Sequence, residues 1–166
     1  MVFYSKFYIP QLKRSFFIAK NEQGICYIDL NDDEKKFKSR VQNYLNDELK
    51  STNSKISYEI AQIKDYFRGL RRNFDMKVFL KGTGFRTGIW QAMSETAYGE
   101  TISYSELAKR AGSKKAFRAA ATCCAVNPVP IIIPCHRVIA KDGSIGGFGG
   151  GVEMKRIMLE IEKENS

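Results

Sequence analysis

The sequence predicts a mixed α/β chain of the α+β type, organised as two small domains, residues 1–80 and 81–166. Three observations lead to it. Short, loosely alternating apolar stretches crowd residues 3–30, as in strands of an antiparallel sheet. Apolar residues then recur at spacings of three and four, the helical period. Residues 104–124 read as helix, glycine turn, helix, the outline of a winged helix-turn-helix-like and mostly helical second domain. At 18.9 kDa the chain has room for two modest cores.

The elements follow in order. Residues 3–8, 15–19 and 25–30 are the expected strands, and Asn31 or Asp32 is placed to cap a helix through about residue 49. A polar bridge at 51–55 precedes a helix whose apolar face is Ile56, Ile60, Ile63, Phe67 and Leu70. Residues 74–80 read as a last strand and 81–84 as the linker. The second domain opens with a helix over 85–97 that turns Ile89, Trp90 and Met93 inward, and Tyr98-Gly99 breaks it. A short helix over 104–110 and a turn at Ala111-Gly112 lead to Ser113, a plausible cap for a helix through residue 124. A final helix carries the apolar stripe Met154, Ile157, Met158 and Ile161.

Charge and cysteine usage narrow the function classes. Net charge is +9, from 27 basic and 18 acidic residues. Lys109, Arg110, Lys114, Lys115, Arg118, Arg137 and Lys141 face a single acid, Glu106, between residues 104 and 141, a local field that favours a polyanion. In the second helix of the pair, Ser113, Lys114, Lys115 and Arg118 join the small run Ala119-Ala120-Ala121, so one face can approach a DNA groove closely. No apolar stretch reaches the ~20 residues that span a bilayer, and the N-terminus lacks signal-peptide order, so a cytoplasmic protein without membrane contact is expected. Cys26, Cys123, Cys124 and Cys135 form no C-x-x-C pair, and with one histidine no zinc set and no metal or cofactor is expected.

The chemistry centres on Pro134-Cys135-His136-Arg137-Val138, where a cysteine adjoins the chain's only histidine. Val129-Pro130-Ile131-Ile132-Ile133 leads to it as a buried approach, held extended by Pro130 and Pro134. On an extended backbone Cys135 and His136 point to opposite sides, which makes a bridging water the expected proton path between them. Gly143, Gly146, Gly147, Gly149, Gly150 and Gly151 follow, a backbone that lets a planar ligand come close. A basic imidazole needs a partner on its other nitrogen. Glu162, at the margin of the last helix's apolar stripe, is the choice by position, with Glu160 and Glu164 sharing its place in the last turn.

Asn127-Pro128-Val129-Pro130, the Pro134–Val138 pentapeptide and the glycine-rich stretch before a terminal helix resemble the O6-alkylguanine-DNA alkyltransferase family, the methylated-DNA–protein-cysteine methyltransferases. The likeness runs over residues 82–162. It implies direct-reversal DNA repair: the base flips out of duplex DNA, the alkyl group of O6-alkylguanine passes to Cys135, and the protein acts once, as a monomer and with no cofactor. O4-alkylthymine is a second candidate lesion. By the resemblance Cys135 is the acceptor, His136 its base and Glu162 the partner of His136. Tyr104 then donates a hydrogen bond to the departing base, Asn127 ties the helix-turn-helix to the active-site turn, and Arg118 takes the rotated nucleotide's place in the duplex. Val138, Phe148 and Gly149 match the guanine pocket, although relatives often carry Tyr and Ser at the last two. Some relatives hold zinc in the N-terminal domain, for which this chain lacks ligands. A helix-turn-helix regulator would leave Cys135, His136 and Glu162 idle, and a cysteine hydrolase would need an oxyanion site.

Overall fold

Strand β1 (Val2–Ile9) buries Val2 and Tyr4 on one face and Ser5, Phe7 and Ile9 on the other, and the chain turns through Lys13, a left-handed residue, into β2 (Arg14–Asn21). β2 pairs antiparallel with β1 on one side and with β3 (Gly24–Asp29) on the other. These elements belong to a computed structural model that describes Met1–Ser166 and divides into two units, Met1–Lys81 and Gly82–Ser166.

In the first unit Phe17 and Phe16, neighbours on β2, face opposite sides of the sheet. Phe17 stacks on Phe37 of α1 (Glu34–Leu45) at 4.9 Å, and Phe16 meets Phe67 of α2 (Ser57–Phe67) at 6.4 Å. A helix therefore covers each face, and both cores are largely aromatic. The cap of α1 is Asp33, whose carboxylate accepts from the Lys36 N–H, and not Asn31 or Asp32. The helix stops at Leu45 because Asn46 turns left-handed and closes on the Gln42 carbonyl. Leu49, the expected end of that helix, instead opens β4 (Leu49–Ser51), which lies parallel to β1, so the sheet is mixed and ordered β3-β2-β1-β4. The strand expected at 74–80 is reduced to one bridge, Val78 to Ile25. It crosses tightly over Gly24, where a Cβ would lie 2.4 Å from the Lys77 carbonyl oxygen. Leu70 lies beyond the end of α2 and is exposed.

The second unit contains α3 (Gly84–Ser94), capped by Thr83, then α4 (Tyr104–Arg110), capped by Ser103, and α5 (Phe117–Ala125). α3 ends three residues before the expected 97. Ile89, Trp90 and Met93 are buried as the spacing predicts, and the indole N–H of Trp90 donates to the Cys123 carbonyl at 3.0 Å. A two-stranded parallel ribbon pairs β5 (Ile102–Ser103) with β6 (Val138–Ile139), and α6 (Val152–Glu164) closes the unit. Ser113 caps no helix. It sits in the turn between α4 and α5, its N–H donating to the Ala108 carbonyl at 2.8 Å, and Lys114 and Lys115 lie in the same turn. No helix is long and apolar enough to cross a membrane.

Candidate active site

The segment leading to Cys135 is a turn and not an extended strand. Ile131 adopts φ 77 and the Ile133 N–H reaches back to the Val129 carbonyl at 2.9 Å. The two prolines restrict their neighbours but leave the backbone free to fold over itself between them, and burial of Val129, Ile131 and Ile133 holds the turn. Asn127 clamps it from the end of α5. Its amide donates to the Ile133 carbonyl at 2.9 Å while its oxygen accepts from the Val129 N–H at 3.0 Å. The Cys135 N–H donates to that same Ile133 carbonyl at 2.8 Å, so one side chain fixes where the sulfur stands.

Cys135–Arg137 forms a single 3-10 turn, again in place of an extended backbone. It leaves Cys135 against a cavity of about 300 Å³ lined by Tyr104, Ala121, Cys124, Ala125, Gly147, Phe148 and Gly149. His136, fully buried, faces α6, where its Nε2 lies 2.5 Å from Glu162 Oε1. Glu162 also accepts from Arg137 Nε at 2.9 Å, from Arg137 Nη2 at 3.0 Å and from the Gly99 N–H at 3.1 Å. Burial pushes this carboxyl up, but the hydrogen bonds and charges of His136 and Arg137 outweigh it and hold Glu162 at about 2. An ionised carboxylate only accepts, so the proton between the two is assigned to His136 Nε2, which leaves Nδ1 as the basic nitrogen.

Burial lowers the His136 pKa against the pull of Glu162, with Arg137 and Lys155 adding repulsion, so the imidazole is neutral at rest. Burial also raises the Cys135 pKa, opposed by the Asn127 hydrogen bond and the Lys155 charge. The resting site is therefore a thiol and a neutral imidazole rather than a preformed ion pair. The second thiol of the cavity, Cys124, is pushed up to about 12 by burial, and Cys26, inside the first unit's core, likewise.

Two cations missed by the pattern of the sequence complete the site. Arg137, counted above with the DNA-facing field, is buried on Glu162, and its Nη1 donates to the Thr96 carbonyl at 2.6 Å. Lys155, one residue past Met154 on α6, is also buried, with Nζ donating to the carbonyls of Val138 (2.6 Å) and Gly147 (3.2 Å). Its place directly after a stripe residue was the one available signal. Lys155 ties the glycine loop to β6, the strand that follows the Cys135–Arg137 turn. Gly146 crosses there with φ 73, and a Cβ on it would lie 3.1 Å from the Tyr104 hydroxyl and 3.6 Å from Lys155 Nζ. Tyr104 starts α4, and burial raises its pKa, so it remains a hydrogen-bond donor at neutral pH.

Cys135, Tyr104, Phe148 and Gly149 thus come together around the cavity, with Asn127, His136 and Glu162 behind it. Val138 does not line the cavity; it is buried in β6, and only its carbonyl takes part, holding Lys155. Lys114, Lys115, Arg118 and Lys141 are exposed, whereas Arg110 is paired with Glu100 and Glu106 and Arg137 is buried, which thins the basic field expected between residues 104 and 141. Ala120 is core, and of the small run only Ala119 is exposed.

Residues 84–164 match the model of the 6-O-methylguanine DNA methyltransferase DNA-binding domain, and residues 15–80 that of the ribonuclease-like domain of the same proteins. The inducible methylated-DNA–protein-cysteine methyltransferase of Bacillus subtilis is 35% identical over 92% of this chain and 86% of its own length. That of Methanosarcina barkeri is 36% identical over 89% of this chain and 90% of its own. Among solved structures, Mycobacterium tuberculosis O6-methylguanine methyltransferase superposes with a TM-score of 0.85 at 31% identity, covering 100% of this chain and 95% of that one. The same organism's enzyme in complex with DNA gives a TM-score of 0.85 at 29% identity, covering 99% and 94%.

Proposed function

Because the chain belongs to the family of methylated-DNA–protein-cysteine methyltransferases, we propose that it repairs DNA by direct reversal, moving the alkyl group of O6-alkylguanine in duplex DNA onto Cys135. One observation carries this reading: a cysteine at the wall of a nucleobase-sized cavity, backed by a neutral imidazole whose far nitrogen is held by an ionised carboxylate.

An alkyl group inside a duplex is out of reach of a buried thiol, so the nucleotide rotates out and its base enters the cavity between Tyr104 and the glycine loop. Arg118, exposed one turn before the cavity wall on α5, fills the vacated place. The Cys135 proton passes through a water to His136 Nδ1, and Glu162 stabilises the imidazolium. Sγ attacks the alkyl carbon, the bond from that carbon to O6 breaks, and its electron pair returns to the guanine, where the Tyr104 hydroxyl donates a hydrogen bond. The product is a thioether. No thiol displaces it as it would a disulfide, so each molecule reacts once. One chain supplies every group, which suits a monomer acting on DNA in the cytoplasm, without cofactor. O4-alkylthymine carries the same alkyl-oxygen bond and is the second lesion of this reading.

The test is mass analysis after incubation with excess duplex DNA containing O6-methylguanine. Methyl loss stops at one equivalent per active protein and the added methyl lies on the Cys135 peptide. Repeated turnover, or a label on Cys26, Cys123 or Cys124, refutes the reading.

A further inference from the structure

Helix α5 carries two side-chain rows past the cavity. Ala121 and Cys124 line it, and Phe117 lies on their row, four and seven residues before them, hence one turn beyond the cavity wall. Arg118 leads the adjacent row through Ala121 and Ala125. The residues α5 buries are Ala120 and Cys123, whereas Phe117 is 46% exposed, following Lys114 and Lys115 of the preceding turn. The Arg118 guanidinium stands 5.7 Å over its ring.

A phenyl ring with nearly half its residue surface open to water among cations forgoes part of a burial free energy that an apolar partner restores. The cations around it select a polyanion. A flat apolar face joined to a polyanionic backbone is a nucleobase, and base–aromatic stacks of this kind are sequence-tolerant. We propose that Phe117 is a base-stacking wedge: it packs on the face of the flanking base laid bare when the target nucleotide leaves the duplex, while Arg118 fills the gap beside it. The inference rests on the alkyl-transfer reading and adds a second residue to the extrusion step. It also accounts for the resting contact, since Arg118 covers the ring until DNA arrives and uncovers it on entering the duplex.

The experiment compares wild type with F117A, F117L and F117Y on two substrates, duplex DNA containing O6-methylguanine and free O6-benzylguanine. A second duplex carries 2-aminopurine beside the lesion. F117A lowers the ratio of duplex to free-base rates about tenfold, the scale of losing one stack. F117Y keeps the ratio, F117L does not, and 2-aminopurine in the complex is brighter with F117A than with wild type. An unchanged ratio in F117A overturns the proposal. So does full activity in F117L, which would make bulk sufficient, and so does equal 2-aminopurine emission, which would make the ring a prop for Arg118. Wild type that transfers to neither substrate defeats the alkyl-transfer reading itself, a result distinct from all of these.

Discussion

The two units keep opposite things inside. The first buries rings, with Tyr4, Phe17 and Tyr27 gathered on Phe37, and most of its ion pairs, such as Lys6–Asp32 and Lys38–Glu34, lie at the surface. The second has Trp90 as its one large buried aromatic and instead encloses His136, Arg137, Lys155 and Glu162. Burying apolar area is the direct route to stability, whereas removing charges from water costs free energy that only close pairing returns. A core built the second way is a worse stabiliser and a better reaction vessel, because charge acts strongly where water is excluded. The contrast assigns stability to one region and chemistry to the other.

The largest expected effect that probes this division is Cys135→Ala, which abolishes alkyl transfer while leaving the melting temperature within a few degrees of wild type, by calorimetry beside a repair assay. Next is Glu162→Gln, which strips the anion from the buried Arg137 guanidinium and from the neutral His136 imidazole it holds. It slows transfer to free O6-benzylguanine by roughly a hundredfold at neutral pH, within the range of general-base catalysis. It also lowers stability by about 3–5 kcal/mol, as expected for breaking a buried pair. Since burial keeps Cys135 a thiol at neutral pH, raising the pH restores part of the rate by forming the thiolate directly. A Glu162→Gln profile parallel to wild type would reduce the carboxylate to a structural role.

Phe37→Ala sharpens the other side. Removing the ring at the centre of the aromatic cluster costs about 3–5 kcal/mol, read by denaturant unfolding, with the transfer rate per folded molecule unaltered. A slowed reaction in the folded fraction would show that the units do not divide the work. Acid gives a milder contrast. The depressed Glu162 pKa contributes stability that is present above its ordinary value of ~4.3 and lost as pH falls through about 2. The His136 pKa is lowered as well, so its neutral form begins to cost stability as pH falls below ~6.5. The second unit therefore loosens before the first on acidification, which hydrogen exchange at successive pH values would resolve. The smallest effect belongs to the surface: neutralising Lys114 or Lys115 weakens binding to any duplex severalfold and reduces the salt slope by about one.

Much of this site is legible in the chain because its signals are local. Cys135 and His136 are consecutive, the glycine run follows within a short stretch, and the α4–turn–α5 spacing places a basic turn before an alanine-rich helix. The Ile89, Trp90 and Met93 face was readable for the same reason, a period of three and four along one helix.

What the sequence by itself determined are the groups able to react and the local elements that carry them. Which groups meet was decided by tertiary structure. Glu162 is chosen over Glu160 and Glu164 by the rotational phase at which α6 packs, and its partner His136 lies 26 residues away. Arg137 and Lys155 look like surface cations in a list of residues, yet the fold buries them, one on a carboxylate and the other on two carbonyls. Likewise β4 is a strand because Val2–Tyr4 offers it an edge. The physical reason is common to all three. The free energy of a charge or an unpaired backbone group depends on what surrounds it in space, and no short window of sequence contains those surroundings.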